Sequence, residues 1–123
     1  MRFYLENKMY ECDNGETFIL ANDELYSIDT NKNKHLLIKN LDDTYEINYI
    51  PKYQKFVIIE DGTRCDFVYI YSLQTILNLN KSIDIREEKY IVSFPWNNCY
   101  CLNDDFIFCL HDDGIFSLNI NTT

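Results

Sequence analysis

The sequence predicts an all-β fold, an antiparallel meander of short hairpins, in a single domain that spans residues 1–123. Composition is the first observation behind this prediction, since Tyr and Phe are abundant and Ala21 is the single alanine. Aromatic and β-branched residues favour strands, whereas alanine favours helices. The second observation is a turn signal about every ten residues, which is typical of short strands joined by hairpins. The third is the length, because 123 residues fall within the range of one domain.

The turn signals are clusters of Gly, Asn, Asp and Pro. Gly and Asn tolerate positive φ, and Asp and Asn side chains bond their own backbone, so these clusters favour turns for a physical reason. They lie at residues 13–15, 22–24, 30–33, 41–43, 51–52, 61–62, 80–81, 95–98, 103–105 and 112–114. The apolar runs between them, such as Thr17–Ala21, 55–60, 67–73 and 89–94, have the length of short strands. Consecutive antiparallel hairpins are therefore expected.

The last hairpin is the best defined of the series. Its arms are Phe106–His111 and 115–120, and the acidic turn 112–114 joins them. In the second arm, apolar residues at 116, 118 and 120 alternate with polar residues at 117 and 119. This is the period-two pattern of a half-buried strand.

One segment, 72–80, has a pattern that also fits a helix, with Ser72 as the N-terminal cap. The segment is short, and the composition on both sides of it is typical of strands. We therefore expect a strand here.

A faint internal repeat appears in three segments of similar pattern, 25–31, 68–75 and 115–121. Each follows a Phe-led apolar strand and an acidic turn. The steps from Tyr26 to Tyr69 and from Tyr69 to Phe116 are 43 and 47 residues. In this pattern of strand, acidic turn and strand, the chain resembles the beta-propeller family, which implies blades of four strands.

The chain is too short to close a propeller by itself. At about 45 residues per blade it holds fewer than three blades, and closed propellers need at least four. The resemblance therefore implies one of three arrangements: an open stack of propeller-like blades, a two-sheet sandwich, or an oligomer that completes a ring. Each arrangement leaves edge strands that charge, loops or a partner must protect.

Charge and hydropathy exclude several classes of protein. The chain has 11 Lys and Arg against 20 Asp and Glu, a net charge of −9, which repels the phosphates that a nucleic-acid binder must neutralise. No apolar run approaches the roughly 18 residues that span a bilayer, and the opening residues lack the apolar core of a signal peptide. The five cysteines are an odd number, which favours reduced thiols. A cytoplasmic protein without direct membrane contact is expected.

Cys99, Cys101, Cys109 and His111 form the cluster most suggestive of a metal site. If strand 99–102 pairs with strand 106–111, each pair of residues could present two ligands for zinc. Structural zinc sites, however, usually use pairs of cysteines separated by two to four residues. Free cysteines are also among the most buried residue types, so buried thiols are favoured and no metal or cofactor is expected.

A catalytic centre is hard to assemble from these residues. Only His35 and His111 titrate near neutrality, and the three glycines lie too far apart for a phosphate loop. No Gly-x-Ser-x-Gly motif is present. The Asp doublets lie in turns, where Asp is favoured for backbone reasons. We therefore expect no enzyme activity; a Cys109–His111 pair on one strand face is the alternative.

Residues 90–123 contain no Lys or Arg, and their acidic residues form two doublets in consecutive turns. A base-free surface with aromatic anchors suits a basic protein partner, because complementary charge speeds association and aromatic side chains carry binding energy. The predicted partner-binding residues are Asp104, Asp105, Asp112 and Asp113, with Trp96 and Tyr100 as anchors.

In size, acidity and lack of a catalytic set, the chain resembles the small immunity proteins of bacterial toxin systems. That resemblance implies an inhibitor that occludes a basic nuclease toxin, whose cleft must be positive to hold phosphate. A phage-encoded inhibitor of a defence nuclease has the same profile. The alternative from a different class is a blade-repeat scaffold that self-associates through its sheet edges, and the sequence leaves the oligomeric state open.

Overall fold

A computed structural model describes residues 2–3, 7–12, 15–95, 99–111 and 114–123, and of Arg2, Cys99–Cys101 and His111 it describes the backbone alone. The structure is mostly β, with 57% strand and 9% helix, so the predicted all-β fold is confirmed. None of the helices in these residues combines the length and the apolar character needed to cross a membrane.

The strands that the structure describes follow one another at short intervals. In chain order they are β1 (Arg2–Phe3), β2 (Lys8–Glu11), β3 (Thr17–Ala21), β4 (Glu24–Ile28), β5 (Lys34–Lys39), β6 (Thr44–Ile50), β7 (Lys55–Asp61), β8 (Cys65–Ser72), β9 (Ile83–Asp84), β10 (Val92–Pro95), β11 (Cys99–Leu102), β12 (Phe106–His111) and β13 (Gly114–Asn119). The helix α1 (Leu73–Leu79) and a 3₁₀ turn (Ile85–Glu87) lie between β8 and β10.

Within the described residues these strands form three sheets. The first sheet has the order β2-β3-β4-β5-β9, the central sheet β1-β6-β7-β8-β10, and the last sheet β11-β12-β13. Neighbouring strands are antiparallel except β5 and β9, which run parallel. Each sheet is built around consecutive hairpins, which confirms the predicted meander. The resemblance to propeller blades stays a prediction.

The central sheet is buried on both faces, and β7 shows why. Phe56 and Ile58 point into the core shared with the first sheet, whereas Val57 and Ile59 point into the core shared with the last sheet. All four side chains are fully buried. Successive side chains of a strand point to opposite faces, so a strand that is covered on both sides requires an uninterrupted apolar run. The three sheets therefore lie in an open stack.

Aromatic rings fill the first core. The ring of Phe18 lies 4.8 Å from that of Tyr49 and 5.1 Å from that of Phe56, in tilted and edge-on arrangements. The hydroxyl of Tyr49 donates a hydrogen bond to Glu16, which satisfies the polar end of a side chain whose ring is fully buried. This core fixes the first sheet against the central one.

The second core is smaller and joins the last sheet to the central one. Ile107, Cys109 and Ile120 of the last sheet and its C-terminal extension pack against the face of β7 and β8 that points away from the first sheet. Cys109 is not part of a disulfide, and its side chain has no exposed surface. It behaves as a small apolar core residue, as the sequence predicted.

The strand predicted at 72–80 is wrong, because this segment contains α1. Ser72 caps the helix by accepting a hydrogen bond from the Thr75 amide, and Asn80 ends it with a φ of 51°. Leu73 and Ile76, three residues apart, are both buried under the first core. Tertiary burial of this one helical face outweighs the strand-like composition of the neighbourhood.

Burial on both faces of β7 predicts that truncation on either face is costly. We expect Ile58→Ala and Ile59→Ala each to lower the free energy of unfolding by about 2–5 kcal/mol. Ile115→Ala, at a side chain that is 72% exposed, is the matched control and should change it by less than about 0.5 kcal/mol. Urea denaturation measures all three. A mild effect of Ile59→Ala, equal to that of the control, would contradict the second core.

Candidate functional site

The tip of the last hairpin exposes three large apolar side chains. Leu110 at the end of β12 is 54% exposed, and Ile115 and Phe116 at the start of β13 are 72% and 52% exposed. Leu110 and Ile115 lie directly opposite each other in the strand register. We call these three residues the apolar tip. Exposed apolar patches of this kind mark binding surfaces more often than isolated exposed residues do.

The second core does not reach Phe116, which explains the exposure of this inner-face side chain, whereas Leu110 and Ile115 lie on the outward face. Along the inner face of the last strand, Ile120 is fully buried, Leu118 is half-buried and Phe116 is half-exposed. The last sheet is therefore packed most closely at the end that carries Ile120, and burial of its inner face decreases towards the other end.

The outward face of β12 continues the apolar surface away from the tip. The half-buried rings of Phe106 and Phe108 lie 5.6 Å apart, and both alternate along the strand with the buried Ile107 and Cys109. Period-two alternation places Phe106, Phe108 and Leu110 on one face, directed away from the second core. Together with Ile115, which lies opposite Leu110, they form an apolar stripe on the outward face of the last sheet, whereas Phe116 lies opposite Cys109 on the inner face.

Asp105 holds the opposite end of β12 to the central sheet. Its carboxylate accepts hydrogen bonds from the Tyr53 hydroxyl at 2.5 Å and from Lys52 Nζ at 2.9 Å. Its carbonyl oxygen accepts a hydrogen bond from the Ile120 amide at 2.8 Å. The hydrogen bonds from Tyr53 and then from Lys52 hold the pKa of the Asp105 carboxyl below its ordinary value of 3.8. Asp105 thus anchors the last sheet.

A second lysine of the central sheet holds the end of the chain. Lys55 Nζ donates hydrogen bonds to the carbonyl oxygens of Ile120 and Asn121, both at 3.0 Å, and to an oxygen of Thr123 at 2.8 Å. Sequence reasoning missed the roles of Lys52 and Lys55. The signal in the sequence was the absence of Lys and Arg from residues 90–123. A hydrogen-bond acceptor in this segment can therefore bind a Lys or Arg side chain only from another part of the chain.

The predicted partner-binding residues fall into three groups. Asp104 is exposed, whereas Asp105 is half-buried and bound by Lys52 and Tyr53. Tyr100 lies on β11 with its backbone opposite Cys109. The remaining predictions, Trp96, Asp112 and Asp113, lie outside the described residues. Sequence reasoning named the acidic turns but did not identify Leu110 and Ile115 as exposed.

The backbone register of the last sheet does not suit the candidate zinc cluster. Cys109 lies opposite Tyr100, while Cys99 and Cys101 lie opposite Leu110 and Phe108. The two cysteine-bearing segments are therefore one residue out of the register that a common ligand face requires. Among the residues that the structure describes, no group of three or more His, Cys, Asp or Glu side chains is placed to hold a metal ion.

Carboxylates elsewhere on the molecule bind neighbouring side chains. Arg86 binds both oxygens of the Asp42 carboxylate at 2.8 Å and holds its pKa below the ordinary value. Glu16 accepts hydrogen bonds from Tyr49 and Gln54. These contacts stabilise loops, so the exposed Asp104 and the apolar stripe remain the better candidate surface.

The Asp105 contact predicts a pH-dependent contribution to stability. Because the pKa of Asp105 is lowered in the folded protein, its contribution is present above about pH 4 and is lost as the pH falls through the lowered value. We expect Asp105→Asn to unfold at lower urea concentration than the wild type near about pH 7, and the difference to shrink as the pH falls below about 4. Asp104→Asn, the exposed neighbour, serves as the control and should show little change. A pH-independent difference for Asp105→Asn would contradict this role.

Comparison with known proteins found no match for this chain, whether among protein-family models, curated proteins or solved structures. The support for a function therefore comes from the last sheet itself: the exposed apolar tip, the outward-facing rings of Phe106 and Phe108, and the base-free acidic segment that carries them.

Proposed function

We propose that the protein is an inhibitor of the immunity type, which binds a basic protein partner through its last sheet and occludes that partner's functional surface. A nuclease toxin is the partner class that we favour. The observation that carries the proposal is the apolar tip, which belongs to a segment, residues 90–123, that has acidic residues and no Lys or Arg.

The negative charge of residues 90–123 determines which class of partner we propose. The two Asp doublets of this segment come directly before and directly after β12 in the sequence, so both segments that border this strand along the chain are acidic. Complementary potentials speed association and fix the orientation of two proteins. A nuclease cleft is positive because it holds phosphate, and carboxylates can occupy such a cleft in place of phosphate. The acidic turns are thus suited to block substrate.

The apolar stripe supplies the binding energy that charge alone does not. A specific interface buries about 800 Å² on each partner. Three large side chains cover no more than about 200 Å² each. The apolar tip is therefore too small alone, and we include Phe106 and Phe108 in the surface. Trp96 and Tyr100 stay predicted anchors.

The proposed compartment is the cytoplasm. Among the described residues, Cys12, Cys65 and Cys109 form no disulfide, and Cys12 and Cys109 are buried. Reduced thiols are typical of proteins in a reducing compartment. A phage-encoded inhibitor of a defence nuclease would act in the same compartment through the same surface, and the identity of the captured partner distinguishes the two.

Neutralising the acidic turns should weaken partner binding. We expect the triple variant Asp104→Asn, Asp112→Asn, Asp113→Asn to raise the Kd for the basic partner by about tenfold or more, because close interfacial charge pairs couple by roughly 1.5–7 kcal/mol. The partner is captured from the native host, identified and purified, and its affinity is measured by calorimetry together with inhibition of its nuclease activity. Asp105 is left intact because it anchors the sheet.

The control variant removes three exposed carboxylates outside the last sheet: Asp23→Asn, Asp43→Asn and Glu87→Gln. It changes the net charge equally and should leave the Kd nearly unchanged. Equal weakening by both variants would show that net charge alone governs binding. An unchanged Kd for the first variant would contradict the proposed surface.

The open outward face also favours a second function, a scaffold that self-associates. Light scattering on the purified protein separates the two proposals. A monomer that forms a complex only with a basic partner supports the inhibitor, whereas a stable ring-sized oligomer of this chain supports the scaffold. The shared negative charge of the copies opposes the second result.

A further inference from the structure

We infer that the partner is held by strand addition, with an extended basic segment pairing along the open edge of β13. This inference rests on the proposed function and names how the last sheet recognises its partner. In this mode, backbone hydrogen bonds give affinity and alternate side chains give specificity.

The edge of β13 lacks the devices that normally protect an edge strand. Its six residues include no charged residue and no proline, and its pairing with β12 runs without a register shift. Natural sheets protect their edges with short strands, charges, proline or bulges. Elsewhere in this structure, the edge strand β2 carries Lys8 and Glu11, and β10 ends at Pro95. Among the described edge strands, β13 is the longest.

The ladder of β12 and β13 shows which backbone groups face outwards. The Ile120 amide donates to the Asp105 carbonyl oxygen, the position that continues the register of the two strands. Donors alternate between the two sides of a strand in an antiparallel pair. The amides of Leu118 and Phe116 therefore point towards β12, and those of the residues between them point to the open edge.

Ile115 and Ser117 thus present their N–H and C=O groups to the edge. Asn119 lies in the same row, but its carbonyl oxygen accepts a hydrogen bond from the Thr123 hydroxyl. No described strand pairs with β13 on this side. The open part of the edge therefore extends from Ile115 to Ser117, beside the apolar tip.

Charge decides what kind of strand this edge accepts. Asp112 and Asp113 directly precede β13 in the sequence, and residues 90–123 contain no Lys or Arg. An added segment that alternates Lys or Arg with apolar residues brings positive charge to this acidic part of the chain and apolar side chains to the exposed Ile115 or Phe116. A second copy of this chain would bring the same negative charge instead.

The inference is tested with synthetic peptides, which require no captured partner. The probe is an extended peptide of alternating Lys and Val, and the control peptide has Glu in place of Lys. Ser117→Pro removes one outward amide and blocks the edge while leaving the inward ladder intact, since proline is tolerated on edge strands. Ser117→Ala, which keeps the amide, is the matched control.

We expect the wild type and Ser117→Ala to bind the Lys–Val peptide, Ser117→Pro to weaken that binding by about tenfold or more, and the Glu–Val peptide not to bind. Unfolding curves verify that each variant is folded. Should Ser117→Pro fail to fold, Ser117→Lys, which places a charge on the edge, takes its place with the same expectation. Absence of peptide binding, equal binding by the edge-blocked variant, or pairing of β13 with a second copy would overturn the inference.

The same variants separate this inference from the proposed function. If the captured basic partner binds Ser117→Pro as tightly as the wild type, the function stands and strand addition is wrong. If the Lys–Val peptide binds at the edge but the last sheet binds no basic protein, strand addition stands and the proposed inhibitor is wrong.

Discussion

Burial of β7 on both faces is the constraint on which the rest of the structure depends. Phe56 and Ile58 require a cover on one side, and Val57 and Ile59 require a cover on the other. The first sheet supplies one cover and the last sheet the other. Since a strand that is covered on both faces must lie in an inner layer, the chain forms a stack of three layers, and the proposed binding surface lies on one of the two outer layers.

The last sheet covers the central sheet with one of its two faces, and hydrogen bonds anchor it to the central sheet at only one end. Lys52, Tyr53 and Lys55 of the central sheet and its turn bind Asp105 and the carbonyl oxygens after β13, so the anchored end is rich in charge-assisted hydrogen bonds. The other end has no such anchor among the described residues and carries exposed side chains. The proposed binding element therefore combines a rigid attachment at its anchored end with exposed apolar side chains at the other end, as a binding element on a small scaffold requires.

The local sequence pattern was sufficient to predict the hairpins, because period-two alternation and turn formation both depend on residues that are close together in the chain. The last hairpin was predicted almost residue for residue. The helix after Ser72 was missed, because burial of Leu73 and Ile76 by a distant sheet decided its form. The acidic turns of the candidate site could be predicted from the sequence. The exposure of Phe116 could not be predicted, since it depends on where the second core ends.

Residue-by-residue amide hydrogen exchange of the unbound protein tests most directly the claim that the last sheet is anchored at one end and open along one edge. Exchange should be slowest in β7, where both faces are covered. Along β13, Phe116 and Leu118 should be protected and Ile115 and Ser117 should exchange rapidly, in strict alternation. Uniform protection along β13 would show that its edge is already covered and would contradict the account.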